Sequence, residues 1–303
     1  MHDLHSNYIK VHEHVKQALK ENLVQGDNLQ FYSNPPKMSD VAVISLALTA
    51  ECLGIDSENL LWSKIKKDYS KQFAELPHRT RFNSRRKRLQ DWIIFCSDKW
   101  SEEISGDADT FIIDSIPLPT CKLSREHNSK SCRRPSDDMK ASKGYSSTDK
   151  QYFIGFKLHL ITCLSGVFQE CALLPANVHD ITFLKQLNQT HLQDCTLIGD
   201  RAYRSHPLQL SLFEDFSIQL DVPYRHNQRD YKPYSFERKI QRKRIETTFA
   251  QYCDEFLLKR NYAKSTDGLQ ARVYSKIGAM TFKQYWNYLN GNKISNTKHS
   301  LAA

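Results

Sequence analysis

Three acidic residues stand in contexts suited to metal-assisted chemistry. Asp114 follows Phe111-Ile112-Ile113 and Asp200 follows Leu197-Ile198-Gly199, so each stands at the carboxyl end of a short apolar run of β type. Ligand sites of open α/β sheets lie at those ends. Glu246 sits on a long helical segment one turn after Arg242, with Phe249 and Cys253 further along the same face. A carboxylate beside an apolar run is expensive to bury unless it is paired or metal-bound. Together the three would make a hard-oxygen cage for Mg2+ or Mn2+. Two such ions, roughly 3.5–4 Å apart, activate the attacking oxygen and stabilise the leaving one in phosphoryl transfer. The plainer alternative is that each acid caps a turn or pairs with a neighbour such as Arg201 or Arg244.

The charge distribution points to a polyanionic partner. The 303 residues carry 43 Lys and Arg against 34 Asp and Glu, a net charge of +9. Residues 1–110 hold 15 basic and 16 acidic residues, so the excess lies in residues 111–303, with 28 against 18. Two runs stand out. HRTRFNSRRKR at 78–88 contains Arg79, Arg81, Arg85, Arg86, Lys87 and Arg88 and no acid. The stretch from Arg225 to Arg244 holds eight basic residues, among them Arg238, Lys239, Arg242 and Lys243, against Asp230 and Glu237. Both runs are interleaved with aromatics, Phe82 in the first and Tyr231, Tyr234 and Phe236 in the second. Nucleic acid phosphate is the polyanion such runs suit, while a solvated helix face is the alternative.

Composition excludes other classes. At 40% hydrophobic and 25% charged residues the chain is of ordinary globular type rather than disordered. Its longest apolar stretch, residues 41–50, is far short of the ~18–20 residues of a membrane span, and MHDLHSNYIKVHEHVK has no apolar signal core. A cytoplasmic protein is expected. The eight cysteines form no C-x-x-C pair, which argues for reduced, buried thiols rather than a zinc site or a disulfide framework.

These side chains need elements to position them. Residues 1 to about 105 read as helical. Val11, Val15, Leu19 and Leu23 line one helix face, Ser39 or Asp40 caps a helix that Gly54 ends, and Asp56 or Ser57 caps the next. The texture changes at Gly106. Residues 111–119 open a strand that Pro117 and Pro119 should stop, and a polar, basic loop follows to Lys150. Residues 152–175 read as a hairpin turning at Ser165-Gly166, with Ile154, Phe156, Leu158 and Leu160 on one face and Lys157 and His159 on the other. A helix near Asp180, strands at 196–200 and 217–224, and a long helix at 238–260 complete an α/β domain with a mixed sheet. The expected division is a helical, DNA-binding region at 1–105, a catalytic domain at 106–290 and a polar tail at 291–303.

FIIDSIPLPTC, GFKLHL, ANVHD, LIGDRAY and KRIETTF, in that order, resemble successive landmarks of bacterial insertion-sequence DDE transposases. The nine-eight-two group is the most similar, and LPHRTRFNSRRKRL fits it too. The resemblance implies an RNase H-like catalytic domain, metal-dependent cutting and joining of transposon ends, and Asp114, Asp200 and Glu246 as the DDE triad. Some related transposases surround their Glu with a tyrosine, an arginine and a later lysine. Arg242 fits that pattern, but Lys239 takes the tyrosine position and Cys253 the lysine position. The 46 residues from Asp200 to Glu246 also leave no room for a large β insertion between them.

The implied reaction is hydrolysis at the element's ends, then attack of the freed 3′-hydroxyl on target DNA, with about two Mg2+ or Mn2+ ions held by the triad. The partners are double-stranded DNA of the terminal inverted repeats and of the target, and a homodimer or larger assembly on DNA. Arg79, Arg81, Arg85, Arg86, Lys87, Arg88, Arg201, Arg238, Lys239, Arg242, Lys243 and Arg244 would track the backbone, and Lys157 and His159 could steady a phosphate. A structural role competes at His159, and Asp180 reads as a helix N-cap. The alternatives are a nuclease of the same fold that never joins strands, and a non-catalytic DNA-binding protein derived from a transposase.

Overall fold

The computed structural model describes residues 3–187, 192–224, 227 and 231–301; Arg225, Arg229 and Asp230 of the second basic run lie outside them. The chain forms two compact units, one of Met1–Ile104, Tyr252–Leu258 and Asp267–Ala303, the other of Ser105–Gln251 and Lys259–Thr266.

The first unit is helical. Helix α1 (Leu4–Leu19) starts where the Asp3 carboxylate accepts the His5 and Ser6 N–H groups, and it buries Leu4, Val11, Val15 and Leu19. Its α-helical turns stop at Leu19, so Leu23 lies beyond the predicted face. Helix α2 (Asp40–Cys52) is capped by Ser39, whose hydroxyl accepts the Ala42 N–H, and almost every residue of it is buried. Helix α3 (Glu58–Asp68) is capped by Ser57 in the same way. Helix α4 (Arg79–Arg88), α5 (Gln90–Ser105) and, near the C-terminus, α9 (Thr266–Leu289) follow. A buried ion pair joins two of its helices: Lys276 Nζ of α9 lies 2.6 Å from Glu51 Oε2 of α2.

The second unit is built on a six-stranded mixed sheet. Strand β1 (Thr110–Cys121) runs antiparallel to β3 (Gln151–Cys163), which pairs antiparallel with both β2 (Ser142–Ser146) and β4 (Phe168–Pro175). On β1's other side lie β5 (Thr196–Ile198) and then β6 (Gln219–Asp221), both parallel. Helices α6 (Ile181–Leu184), α7 (His206–Phe216) and the first part of α8 (Phe236–Phe256) accompany the strands. This is a mixed sheet flanked by helices, after a helical region, as the sequence implied.

Three sequence expectations change. The prolines do not stop β1, which runs on to Cys121. Its parallel pairing with β5 covers only Thr110–Ile112, so Pro117 and Pro119 fall where that second edge is free and no donor is missed. The loop at 121–150 contains β2, which takes the part of β3's outer edge that β4 leaves open. The polar-facing side of β3 is also covered: His159 is fully buried, its ring packed against Phe183 and Tyr203 on that face.

Gly155 marks the tightest approach in the sheet. A Cβ there would run into the Leu118 carbonyl oxygen, which belongs to the backbone and cannot swing away. Gly155→Ala is expected to cost roughly 1–3 kcal/mol or more, seen as a lower urea midpoint at unchanged slope. An unchanged midpoint would mean that β1 and β3 can separate freely here.

Candidate active site

Asp114 lies inside β1 rather than at its end, two residues past the last parallel pair with β5. The end of that parallel pairing, not of the strand, is what opens the edge it faces. The Ser115 N–H donates to Asp114 Oδ1 at 2.8 Å, fixing the carboxylate against its own backbone. Asp200 follows β5 after Gly199 and caps the short 3-10 turn Arg201–Tyr203, its Oδ1 accepting the Ala202 N–H at 2.8 Å. Glu246 stands near the middle of α8 with its side chain 55% exposed. Arg244, two residues earlier in the helix, holds α8 on the β3–β4 hairpin by donating to the Ser165 carbonyl at 2.8 Å. Gly166 closes that hairpin at φ +84°, and a side chain there would strike Thr248 and Arg244 of α8.

Arg242 joins two of the acids. Its guanidinium lies 3.7 Å from Asp114 Oδ2 and 3.5 Å from Glu246 Oε1. The Asp114 carboxyl is pushed up to about 7, first by burial and further by the charges of Asp200 and Glu246; the Ser115 N–H and Arg242 only partly offset this. Burial also raises the Asp200 carboxyl, aided by Asp180 and opposed by the Ala202 N–H and Arg242. The three acids therefore sense one another or share Arg242. Among the described residues no three His, Cys, Asp or Glu side chains are gathered closely enough to hold an ion. In this arrangement Arg242 lies between Asp114 and Glu246.

Polar side chains support the carboxylates. Tyr203, buried near Asp114, Asp180 and Asp200, has its hydroxyl pushed well above the usual range by burial and by those charges, so it stays protonated. It lies 2.9 Å from His159 Nδ1. Burial lowers the His159 imidazole to about 4, so it is neutral near pH 7. Asp180 occupies an N-cap position but makes no capping bond; it pairs with Lys157 instead. His159 is thus enclosed and Lys157 is spent on Asp180, so neither offers a free charge to a phosphate. Sequence reading passed over Tyr203 and Ser115; LIGDRAY contains the first, and only the fold reveals the second.

The basic residues divide by environment. Arg201, Lys239, Arg242 and Lys243 line a cavity of about 570 Å³ beside Asp200, together with Tyr224 and Tyr231. Arg238 is held by Asp221 at 3.0 Å, and Arg244 by the hairpin. In the helical unit Arg85 and Arg86 are buried; Arg85 pairs with Asp40 at 2.5 Å and Arg86 with Glu58 at 3.1 Å. These two guanidiniums serve the unit's interior, contrary to the role in backbone tracking that the sequence suggested. Arg79 also reaches Glu58, Lys87 is half-buried, and Arg81 and Arg88 are exposed.

Asp114 on the sheet's central strand and Asp200 just after its parallel neighbour thus stand beside a cation-lined cavity. Residues 105–282 match the transposase DDE domain family, and the chain belongs to it. It is a DNA transposase, an enzyme of DNA phosphoryl transfer, and that family generally uses divalent metal ions. No curated protein matches the sequence. Among solved structures, the chain is similar to a piggyBac transposase in a synaptic complex with hairpin DNA, determined by cryo-EM, at 10% identity and a TM-score of 0.49. That likeness spans 98% of this chain and 76% of the other. No helix among the described residues is long and apolar enough to cross a membrane.

Proposed function

We propose that Asp114, Asp200 and Glu246 are the catalytic triad of this transposase, cutting DNA at an element's ends and joining the freed 3′ end to target DNA. The single observation that carries the reading is the raised Asp114 carboxyl, half-buried among like charges and reached by one guanidinium. Such a site needs further positive charge, and a set of carboxylate oxygens suits a hard divalent cation. A divalent cation held by the three acids, Mg2+ or Mn2+, would supply Lewis-acid polarisation of the phosphodiester.

The chain's own groups do the rest. The Ser115 and Ala202 N–H groups each occupy one oxygen of Asp114 and Asp200, and the other oxygen of Asp114 faces Arg242. Arg242 can turn from the carboxylates to a phosphate, since it is held by ion pairs of 3.5 and 3.7 Å only. Arg201, Lys239 and Lys243 hold the DNA backbone in the adjoining cavity. The helical residues 1–105 would add contacts through Arg81 and Arg88, and joining two ends calls for a dimer or larger assembly on DNA.

Asp200→Asn and Glu246→Gln are each expected to bind an element-end duplex as the wild type does and to lose Mg2+-dependent nicking by about 10³-fold. Nicking by either variant at the wild-type rate would remove that residue from the triad. A wild-type protein that nicks but never yields joined products would make it a nuclease.

A further inference from the structure

The sheet unit has a second cation-lined groove, of about 550 Å³, at the far end of β1 from Asp114. Lys122, Arg125, Lys130, Arg134 and Lys264 line it, and no carboxylate does. All five are exposed, and none forms an ion pair among the described residues. Five like charges around one groove repel one another unless an anion lies among them.

The surrounding loop is built to hold that arrangement. Arg133, also in the loop, is consumed internally, donating to the Ala141 and Glu126 carbonyls at 3.0 and 2.6 Å. Glu126 is paired with Lys143 at 3.0 Å. The buried Asp137 accepts the Arg134 and Thr266 N–H groups, and the Cys132 N–H donates to the Lys264 carbonyl, fastening the loop to the segment that carries Lys264. Asp137 and Arg133 are thus used to fix the backbone and Glu126 is paired with Lys143, leaving five cations directed at the groove.

We infer that this groove is a second binding site for the phosphate backbone of double-stranded DNA, separate from the cavity beside Asp200. Thr120, which lines it, is six residues beyond Asp114 on one continuous strand. At about 3.3 Å per residue the groove is roughly 20 Å from that carboxylate, the length of about six base pairs of B-DNA. It therefore grips duplex about six base pairs from the bond being cut or joined. This inference rests on Asp114 marking the reacting phosphodiester.

The test uses the full-length variant Lys122→Ala/Arg125→Ala/Lys130→Ala, with Lys264→Ala as a second variant outside the loop. Binding of labelled duplexes is measured by fluorescence anisotropy across a salt series, and melting curves confirm that the variants fold. For duplexes extending well past six base pairs, the slope of log affinity against log salt should fall by about 2–3 in the triple variant and by about 1 in Lys264→Ala. A duplex ending roughly four base pairs from the reacting bond should bind and be nicked as by the wild type. A loss seen with the element-end duplex assigns the groove to the cut DNA, and a loss confined to joining assigns it to the target. An unchanged slope with long duplex in both folded variants overturns the inference. Wild-type nicking by Asp114→Asn would instead overturn the triad, an outcome the salt slopes do not affect.

Discussion

Asp114→Asn is expected to abolish DNA nicking, by about 10³-fold or more, and at the same time to raise the melting temperature of the metal-free protein. The two effects have one cause. The carboxyl is raised from 3.8 to about 7 because it is buried with Asp200 and Glu246 close enough to repel it. Between those values the folded protein binds a proton that the unfolded chain has already lost, so stability falls as pH rises through that window. Asparagine removes the penalty and retains an oxygen for the Ser115 N–H. The gain should be small near pH 4, grow towards pH 7 and then level off at roughly 2–4 kcal/mol, or about 4–15 °C. Millimolar Mg2+ should raise the melting temperature of the wild type more than that of the variant, because a ligand that binds only the folded state stabilises it. Thermal melts at several pH values check both statements. A variant that is no more stable than wild type at pH 8 would show that Arg242 already neutralises the site.

The second large effect is expected in the helical unit. Lys276 is 1% exposed, and its ammonium donates to Glu51 Oε2 and to the Phe256 carbonyl, each at 2.6 Å. Burial lowers its pKa, and the Glu51 charge opposes that shift. Lys276→Met leaves Glu51 as an uncompensated charge in the interior, at a cost of about 3–5 kcal/mol. Glu51→Leu added to it removes the second charge and should restore most of the loss. Urea unfolding of the two single variants and the double variant measures the coupling. A single substitution costing under about 1 kcal/mol would mean that water reaches the pair. Phe256 is the last residue of α8, the helix that carries Glu246, so the Lys276 variant should also lower nicking at temperatures where it remains folded.

Much of the architecture was legible because its signals are local. The four-residue spacing of Val11, Val15 and Leu19, the caps at Ser39 and Ser57, and the turn at Ser165-Gly166 each depend on residues within a few positions of one another. The basic runs were legible only as charge. Whether a given arginine faces solvent depends on what lies across from it: Arg85 meets Asp40, 45 residues earlier, and no local pattern reveals that partner.

The strand prolines show the same limit. Pro117 and Pro119 end a strand when both edges need donors, but β1 loses its β5 neighbour after Ile112, so they are tolerated. The sequence by itself determined the order of strands and helices apart from β2, the acids beside apolar runs and the family to which the chain belongs, since periodicity, turn chemistry and motif order are properties of the chain read in one dimension. Only the tertiary structure decided that Arg242 spans Asp114 and Glu246, that Lys157 is taken by Asp180, and that five cations surround one groove beyond β1. The physical reason is that charge pairing and desolvation depend on distances across the fold, and those distances exist only once β1, β3 and α8 have packed.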